Sequence, residues 1–202
     1  MSCTWNDKQR LRRWALRCRG RQSPDSATAA GELLAGYLAQ HRAFLAARTV
    51  AGYLSMPGEL GMAAVLRLCH TAGRQVLVPT WSRVTQRYGF CRWRPEMPLV
   101  SGPLRVREPR ERDWVACGQI DLVLVPGLLF DESGGRLGFG AGHYDGLLAR
   151  CRPGAFFMGI GYEWQLIWQV PQMPHDVPLH AIATPGGIHD VPPLCLNTAV
   201  GV

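Results

Sequence analysis

The chain has 202 residues, 47% of them hydrophobic and 18% charged, which suits a soluble globular domain with a full core. A formal net charge of +7 favours anionic partners, and Lys8, Arg10, Arg12, Arg13, Arg17, Arg19 and Arg21 crowd near the N-terminus. No apolar run approaches the roughly 20 residues of a membrane span, no apolar segment follows the first residues as in a secretion signal, and the seven cysteines form no CxxC pair. The expectation is a cytoplasmic protein with free thiols.

The elements follow in chain order. Residues 6–19 read as a basic helix, with Leu11, Ala15 and Cys18 near helical spacing and Gly20 as its stop. Ser23-Pro24-Asp25 reads as a turn. Thr28 to Arg48 reads as one Ala/Leu-rich helix weakened by Gly31 and Gly36. Val50–Met56 is a predicted strand ended by Pro57-Gly58, residues 63–71 a helix, and residues 75–79 a buried strand. Repeated helix, strand and Pro/Gly turns argue for a layered α/β fold. Residues 81–109 are less regular, with a strand predicted at 88–93. Ile120–Val125 reads as the third central strand, residues 144–150 as a helix and Ala155–Ile160 as a fourth strand. Gln165–Val170 is ambiguous. After Pro171 the pattern predicts mostly turns, with a short apolar segment at 181–183. With no internal repeat and no linker, one domain over 1–202 is expected.

The chemistry concentrates in DLVLVPGLLFDESGGRLGFGAGHYDGLL, from Asp121 to Leu148. An apolar strand, a glycine-rich stretch and a helix start form a familiar anion cradle, because glycines let backbone N–H groups approach a phosphate and the helix end adds partial positive charge. Arg136 stands among those glycines, where a guanidinium clamps phosphate bidentately. Asp145 follows as either a magnesium ligand or a helix N-cap. Glu59 lies in a Pro-Gly-Glu turn after a strand, and Asp176 in the proline-bracketed PHDVP. No GK[ST] follows the glycines and no acidic residue ends a following strand, so neither a Walker A loop nor a dinucleotide fingerprint is present. The residues alone predict a phosphate-binding α/β enzyme.

That run resembles the signature of the 5-formyltetrahydrofolate cyclo-ligase family: a strand ending in VPG, then FD, RLG, a glycine-rich loop and a Tyr-Tyr-Asp triplet. Lys8 with Leu11-Arg12 resembles the family's KxxLR, Leu54-Ser55-Met56 with Glu59 its folate-contacting segment, and Val78-Pro79 a strand end. Arg107-Glu108-Pro109 resembles its EP motif, and Gln165, Val170-Pro171 and His175-Asp176-Val177 its C-terminal portion. The resemblance implies a single three-layer α/β domain with a mainly parallel central sheet flanked by helices, similar to the NagB/ribose-5-phosphate isomerase/CoA-transferase-like fold. It implies ATP- and Mg²⁺-dependent closure of 5-formyltetrahydrofolate to 5,10-methenyltetrahydrofolate through a phosphorylated formyl group, in a cytoplasmic monomer that binds neither nucleic acid nor membrane.

It also implies roles. Lys8, Arg12, Arg136, Leu137, Gly138, Phe139, Gly140, Ala141, Gly142, His143 and Tyr144 would hold ATP. Leu54, Met56, Glu59, Phe139, Gly140 and His143 would contact folate, Asp145 and Asp176 would hold Mg²⁺, and Arg136, Glu59 and Tyr144 would form the catalytic set. Two positions depart from the family pattern: His143 replaces the first tyrosine of the triplet, and Thr80 replaces an arginine common after the strand-end proline. The alternatives are the same nucleotide site serving another formyl or amide substrate, and a nucleic-acid module built on the basic helix, near which only Trp5 and Trp14 supply aromatics.

Overall fold

The computed structural model describes residues 5–192. Cys3 and Cys195 lie outside the described residues, and Cys18, Cys69, Cys91, Cys117 and Cys151 are free. The first helix, α1, spans Trp5–Arg19. The long second helix is instead two. α2 (Pro24–Gln40) begins earlier than predicted, because Ser23 Oγ accepts from Ser26 N at 3.1 Å and Pro24 fits the first helical position. His41 then turns extended (φ −76°, ψ 134°), and its Nδ1 accepts from Ala43 N at 3.2 Å to start α3 (Arg42–Ala46).

Gly31 does not weaken α2. It lets the helix meet the loop that precedes the helix at residues 63–71, where a Cβ would run into Gly61 O, and Gly61 N donates to Ala27 O at 2.9 Å. Gly36 faces open space. Gly31→Ala is therefore expected to cost about 2–3 kcal/mol by overpacking, whereas Gly36→Ala should add about 0.5–1 kcal/mol through helix propensity. Paired urea melts measure both, and equal effects would remove the close crossing from the account.

The predicted strand at Val50–Met56 is only β1, Thr49–Ala51. Beyond it the chain curls back on itself: Glu59 Oε2 accepts from Met56 N at 2.8 Å, Ser55 Oγ donates to Leu60 O at 2.8 Å, and Ser55 Oγ accepts from Met62 N at 2.9 Å. These local bonds satisfy groups a strand would have spent on a neighbour. Helix α4 (Ala63–Thr71) matches its prediction. There follow β2 (Gln75–Ser82), β3 (Arg87–Arg92), β4 (Leu99–Ser101), β5 (Arg107–Pro109), β6 (Trp114–Val115) and β7 (Leu122–Pro126).

Between β7 and the glycine-rich loop the sequence reading missed a hairpin, β8 (Leu129–Phe130) and β9 (Arg136–Leu137). The loop therefore follows a hairpin, not the central strand. α5 (His143–Leu148), β10 (Phe156–Ile160), β11 (Ala181–Thr184) and β12 (Gly187–Asp190) complete the described chain, so the segment after Pro171 carries two strands where mostly turns were expected.

The large sheet has the order β12-β11-β10-β7-β1-β2-β3-β6. The five strands from β11 to β2 are parallel, and the antiparallel pairings fall toward its two edges. Successive residues face opposite sides. Val50, Val76, Leu122 and Leu124 pack under α2, α3 and α4, while Ala51, Leu77, Val123 and Val125 pack against α5. The β1–β2 crossover thus covers one face and the β7–β10 crossover the other. The boundary between β1 and β7 is the reversal point at which open α/β sheets bind ligands, beyond the carboxyl ends of the strands.

Candidate active site

A cavity of about 790 Å³ opens at that point, lined by residues that follow β1 (Tyr53, Leu54, Met56, Glu59), by Pro126 at the end of β7 and by Pro79 of β2. Every residue assigned a site role from the sequence lines it: Lys8, Arg12, Leu54, Met56, Glu59, residues 136–145 and Asp176. A second, more open depression on the outer face of α1, beside Arg10, Arg13, Trp14 and Arg17, contains none of them.

Lys8 and Arg12 are one helical turn apart and therefore share a face of α1. Ala15, on the same side, is fully buried against Leu128, Leu129, Leu137 and Val170, which docks α1 on the β8–β9 hairpin. The hairpin is itself tied by Asp131. Its Oδ1 accepts from Ser133 N (3.0 Å), Ser133 Oγ (2.6 Å) and Gly135 N (2.8 Å), and its Oδ2 from Val170 N (2.6 Å). Gln165 completes the frame, donating from Nε2 to the Gly127 and Leu128 carbonyls at 2.9 and 3.0 Å.

Three cations meet over this frame. Arg12 Nε donates to Gly138 O at 3.0 Å, Lys8 Nζ to Asp176 Oδ2 at 3.0 Å, and Arg136 Nη2 to Asp145 Oδ1 at 2.7 Å. Arg136 is only 9% exposed, yet its buried Nε has no partner. An orphaned donor inside a cavity wall costs stability unless something fills it. The loop is built around these guanidinium groups. A Cβ at Gly138 would come within 2.9 Å of Arg136 Nη1, and one at Gly140 (φ +106°) within 3.2 Å of Arg12 Cζ. The side-chain-free backbone and the cations form a surface suited to an anion with several oxygens.

Asp145 is not an N-cap. Gly142, in the left-handed region (φ +66°), holds that position without a side-chain bond, which frees the carboxylate for Arg136 and for Val177 N at 3.4 Å. Asp176 Oδ2 also accepts from Met173 N at 2.7 Å. The chain beside Asp176 thus touches Asp145 directly. No cluster of three His, Cys, Asp or Glu occurs among the described residues. Two carboxylates fit a hard cation such as Mg²⁺ that keeps water and shares phosphate oxygens, and they do not fit a zinc cage.

The opposite wall is apolar and aromatic. Burial pushes Glu59 above the usual carboxylate range, although the Arg19 guanidinium facing it and the Met56 amide pull the other way. Burial first, then Glu59, raises Tyr53 and Tyr144. His143 lies edge-on to Tyr88 and Trp81, with ring centroids 5.0 and 6.1 Å away. Thr80 is fully buried and donates to Val78 O at 3.3 Å, so it adds nothing to the cavity surface. Arg107 lines the cavity from β5.

Sequence reasoning missed Tyr53, Tyr88 and Arg19. A signal existed for Arg19: with Lys8, Arg12 and Ala15 it continues one face of α1 at helical spacing.

The model of the 5-formyltetrahydrofolate cyclo-ligase family matches residues 4–185. The 5-formyltetrahydrofolate cyclo-ligase of Escherichia coli K12 is 29% identical over 174 residues, 82% of this chain and 93% of that protein. That of Mycolicibacterium smegmatis is 32% identical over 161 residues, 76% and 81% of the two chains. The NMR structure of Aquifex aeolicus 5,10-methenyltetrahydrofolate synthetase superposes with a TM-score of 0.79 at 26% identity, covering 92% of this chain and 93% of that one. A Mycoplasma pneumoniae 5,10-methenyltetrahydrofolate synthetase shares the fold, with a TM-score of 0.70 at 22% identity over 89% and 99%. With the match running from α1 through β11, the chain belongs to the 5-formyltetrahydrofolate cyclo-ligase family.

Proposed function

We propose that this protein closes 5-formyltetrahydrofolate to 5,10-methenyltetrahydrofolate at the expense of MgATP, as one domain over 1–202 acting as a cytoplasmic monomer. The observation that carries the reading is the convergence, in one cavity, of Lys8, Arg12 and Arg136 around a glycine-rich loop facing an apolar wall with Glu59. Asp145 and Asp176 would hold Mg²⁺, and ATP would supply the phosphoryl group that makes the formyl oxygen a leaving group. The second folate nitrogen then attacks the activated carbon, and phosphate departs as the ring closes.

The protein's share is positioning and charge neutralisation. Lys8 and Arg12 fix the phosphates against the Gly138–Gly142 backbone. Arg136 offers its fork to the phosphoryl group and is itself aimed by Asp145. Leu54, Met56 and Phe139 pack against the pteridine, Glu59 sits beside the reacting formyl group, and Tyr144 lies under the Arg136 guanidinium, 5.8 Å from ring centroid to Cζ. Among the described residues no helix is long and apolar enough to cross a membrane.

The decisive experiment incubates the pure protein with MgATP and 5-formyltetrahydrofolate and follows methenyltetrahydrofolate absorbance. ATP binding without product would transfer the site to another formyl or amide substrate. His143 tests that boundary. Its ring already packs as an aromatic on Tyr88 and Trp81, so His143→Tyr is expected to keep kcat/KM within about threefold of wild type or to raise it, in keeping with a modest aromatic-pair energy. A collapse of more than tenfold would give the imidazole a role of its own.

A further inference from the structure

Arg19 is the last residue of α1, and it is 6% exposed. Its guanidinium touches two separate segments of the site, the turn after β1 and the glycine-rich loop. Nε donates to Pro57 O at 3.1 Å, Nη1 stands 3.2 Å from Glu59 Oε1, and Cζ lies 5.2 Å from the centroid of the Phe139 ring. The approach is built into the backbone as well. Gly58 takes φ +76°, and a Cβ there would come within 2.5 Å of Arg19 O. The Glu59 carboxylate is nearly as buried as its partner, with side-chain exposures of 9% and 7%.

We propose that Arg19 is a positioning residue of this site, pairing its charge with Glu59 and fixing the Met56–Glu59 turn against Phe139 so that the acidic wall and the glycine-rich loop form one unit. Its importance to turnover rests on the cyclo-ligase reading, because only there does Glu59 serve a substrate. The alternatives for a buried arginine are poorer here. A purely structural cation would satisfy helix-end carbonyls, whereas this one spends its Nε–H and its charge on the β1–α4 turn and its face on Phe139, which is half-exposed and lines the cavity.

The other groups around Glu59 cannot replace it. Tyr53 of the same turn, Tyr144 of α5 and Tyr162 after β10 all interact with the carboxylate as sites of potential negative charge, and Tyr162 Oη is buried without a partner. Arg19 is thus the cation facing Glu59 among these groups. Removing its charge leaves only the Met56 amide to oppose burial, so the carboxylate protonates at higher pH.

The test uses full-length wild type, Arg19→Met, Arg19→Lys, Glu59→Gln and the Arg19→Met/Glu59→Gln double variant. Glu59 titration is followed by carboxyl-carbon NMR, with Glu59→Gln supplying the assignment, beside the pH profile of kcat/KM. In Arg19→Met the Glu59 midpoint and the acidic limb should both rise by about one unit or more. The double variant should be no slower than Glu59→Gln alone. Arg19→Lys should keep the limb within about half a unit, yet raise the folate KM several-fold, because a lysine keeps the charge and loses the fork. A folded Arg19→Met with an unmoved Glu59 midpoint overturns the proposal. So does an Arg19→Lys that matches wild type in KM, the arm that decides if Arg19→Met does not fold. Wild type without cyclisation would defeat the assigned reaction alone, since the NMR titration reads the Arg19–Glu59 pair in either case.

Discussion

Arg136→Ala is expected to lower kcat by about 10²–10³-fold, the size found when a preorganised donor to developing charge is removed. The guanidinium is almost buried, its Nη2 is fixed at 2.7 Å by Asp145, and its Nε faces inward unpaired. Lys8 and Arg12 do not take its place, because they are already held by Asp176 and Gly138 O. The fold should survive. Asp145 is partly solvated and keeps the Val177 amide, so a loss of about 1–2 kcal/mol, a few degrees in melting temperature, is the expected cost. Arg136→Lys should recover only part of the rate, since a point charge cannot reproduce a fork. Steady-state kinetics beside a thermal melt separate the two effects. A folded Arg136→Ala enzyme with unchanged kcat would take this residue out of the reaction.

Asp131→Ala is expected to be the costliest substitution for stability, at about 3–5 kcal/mol. The carboxylate is 1% exposed and accepts from the amides of Ser133, Gly135 and Val170 as well as from Ser133 Oγ. Deleting it strands buried donors, each worth about 1–3 kcal/mol when left unpaired. The damage should not stay local. Asp131 closes the turn of β8–β9, and that hairpin carries Arg136 and the surface on which α1 docks. Chemical denaturation gives the free energy, and the folded fraction should also bind nucleotide more weakly. A shift below about 1 kcal/mol would mean that water or a rearranged turn satisfies those amides.

The contrast between these residues shows what the sequence made legible. Arg136, Asp145 and the glycines lie within ten residues of one another, so their joint chemistry could be read from spacing and from family resemblance. Lys8, Arg12, Glu59 and Asp176 are scattered, and only the resemblance brought them to the same place. The strand at Leu122–Pro126 and the helix at Ala63–Thr71 were clear because apolar runs and helical periodicity are local signals.

The β8–β9 hairpin was not legible. Its strands are two residues each, too short to show alternation, and an aspartate buried beneath the turn holds them together. The strand predicted through Met56 failed for a related reason, since Glu59 and Ser55 satisfy that backbone from within the turn. His41 broke the second helix through a capping bond that no hydrophobic pattern records. The extended Ala/Leu run concealed it.

The docking of α1 has a temporal consequence. The Arg12–Gly138 contact spans 126 residues and the Lys8–Asp176 contact 168, so cations of α1 meet partners far along the chain. During synthesis the first helix therefore emerges long before the surface that receives it, carrying exposed arginines with no anion to hold. The cradle is expected to close late in folding, because contacts so distant in sequence are slow to form. The finished cavity thus marks a finished molecule, and a chain cut short before Asp176 would have most of its sheet and still lack the partner that holds Lys8 there.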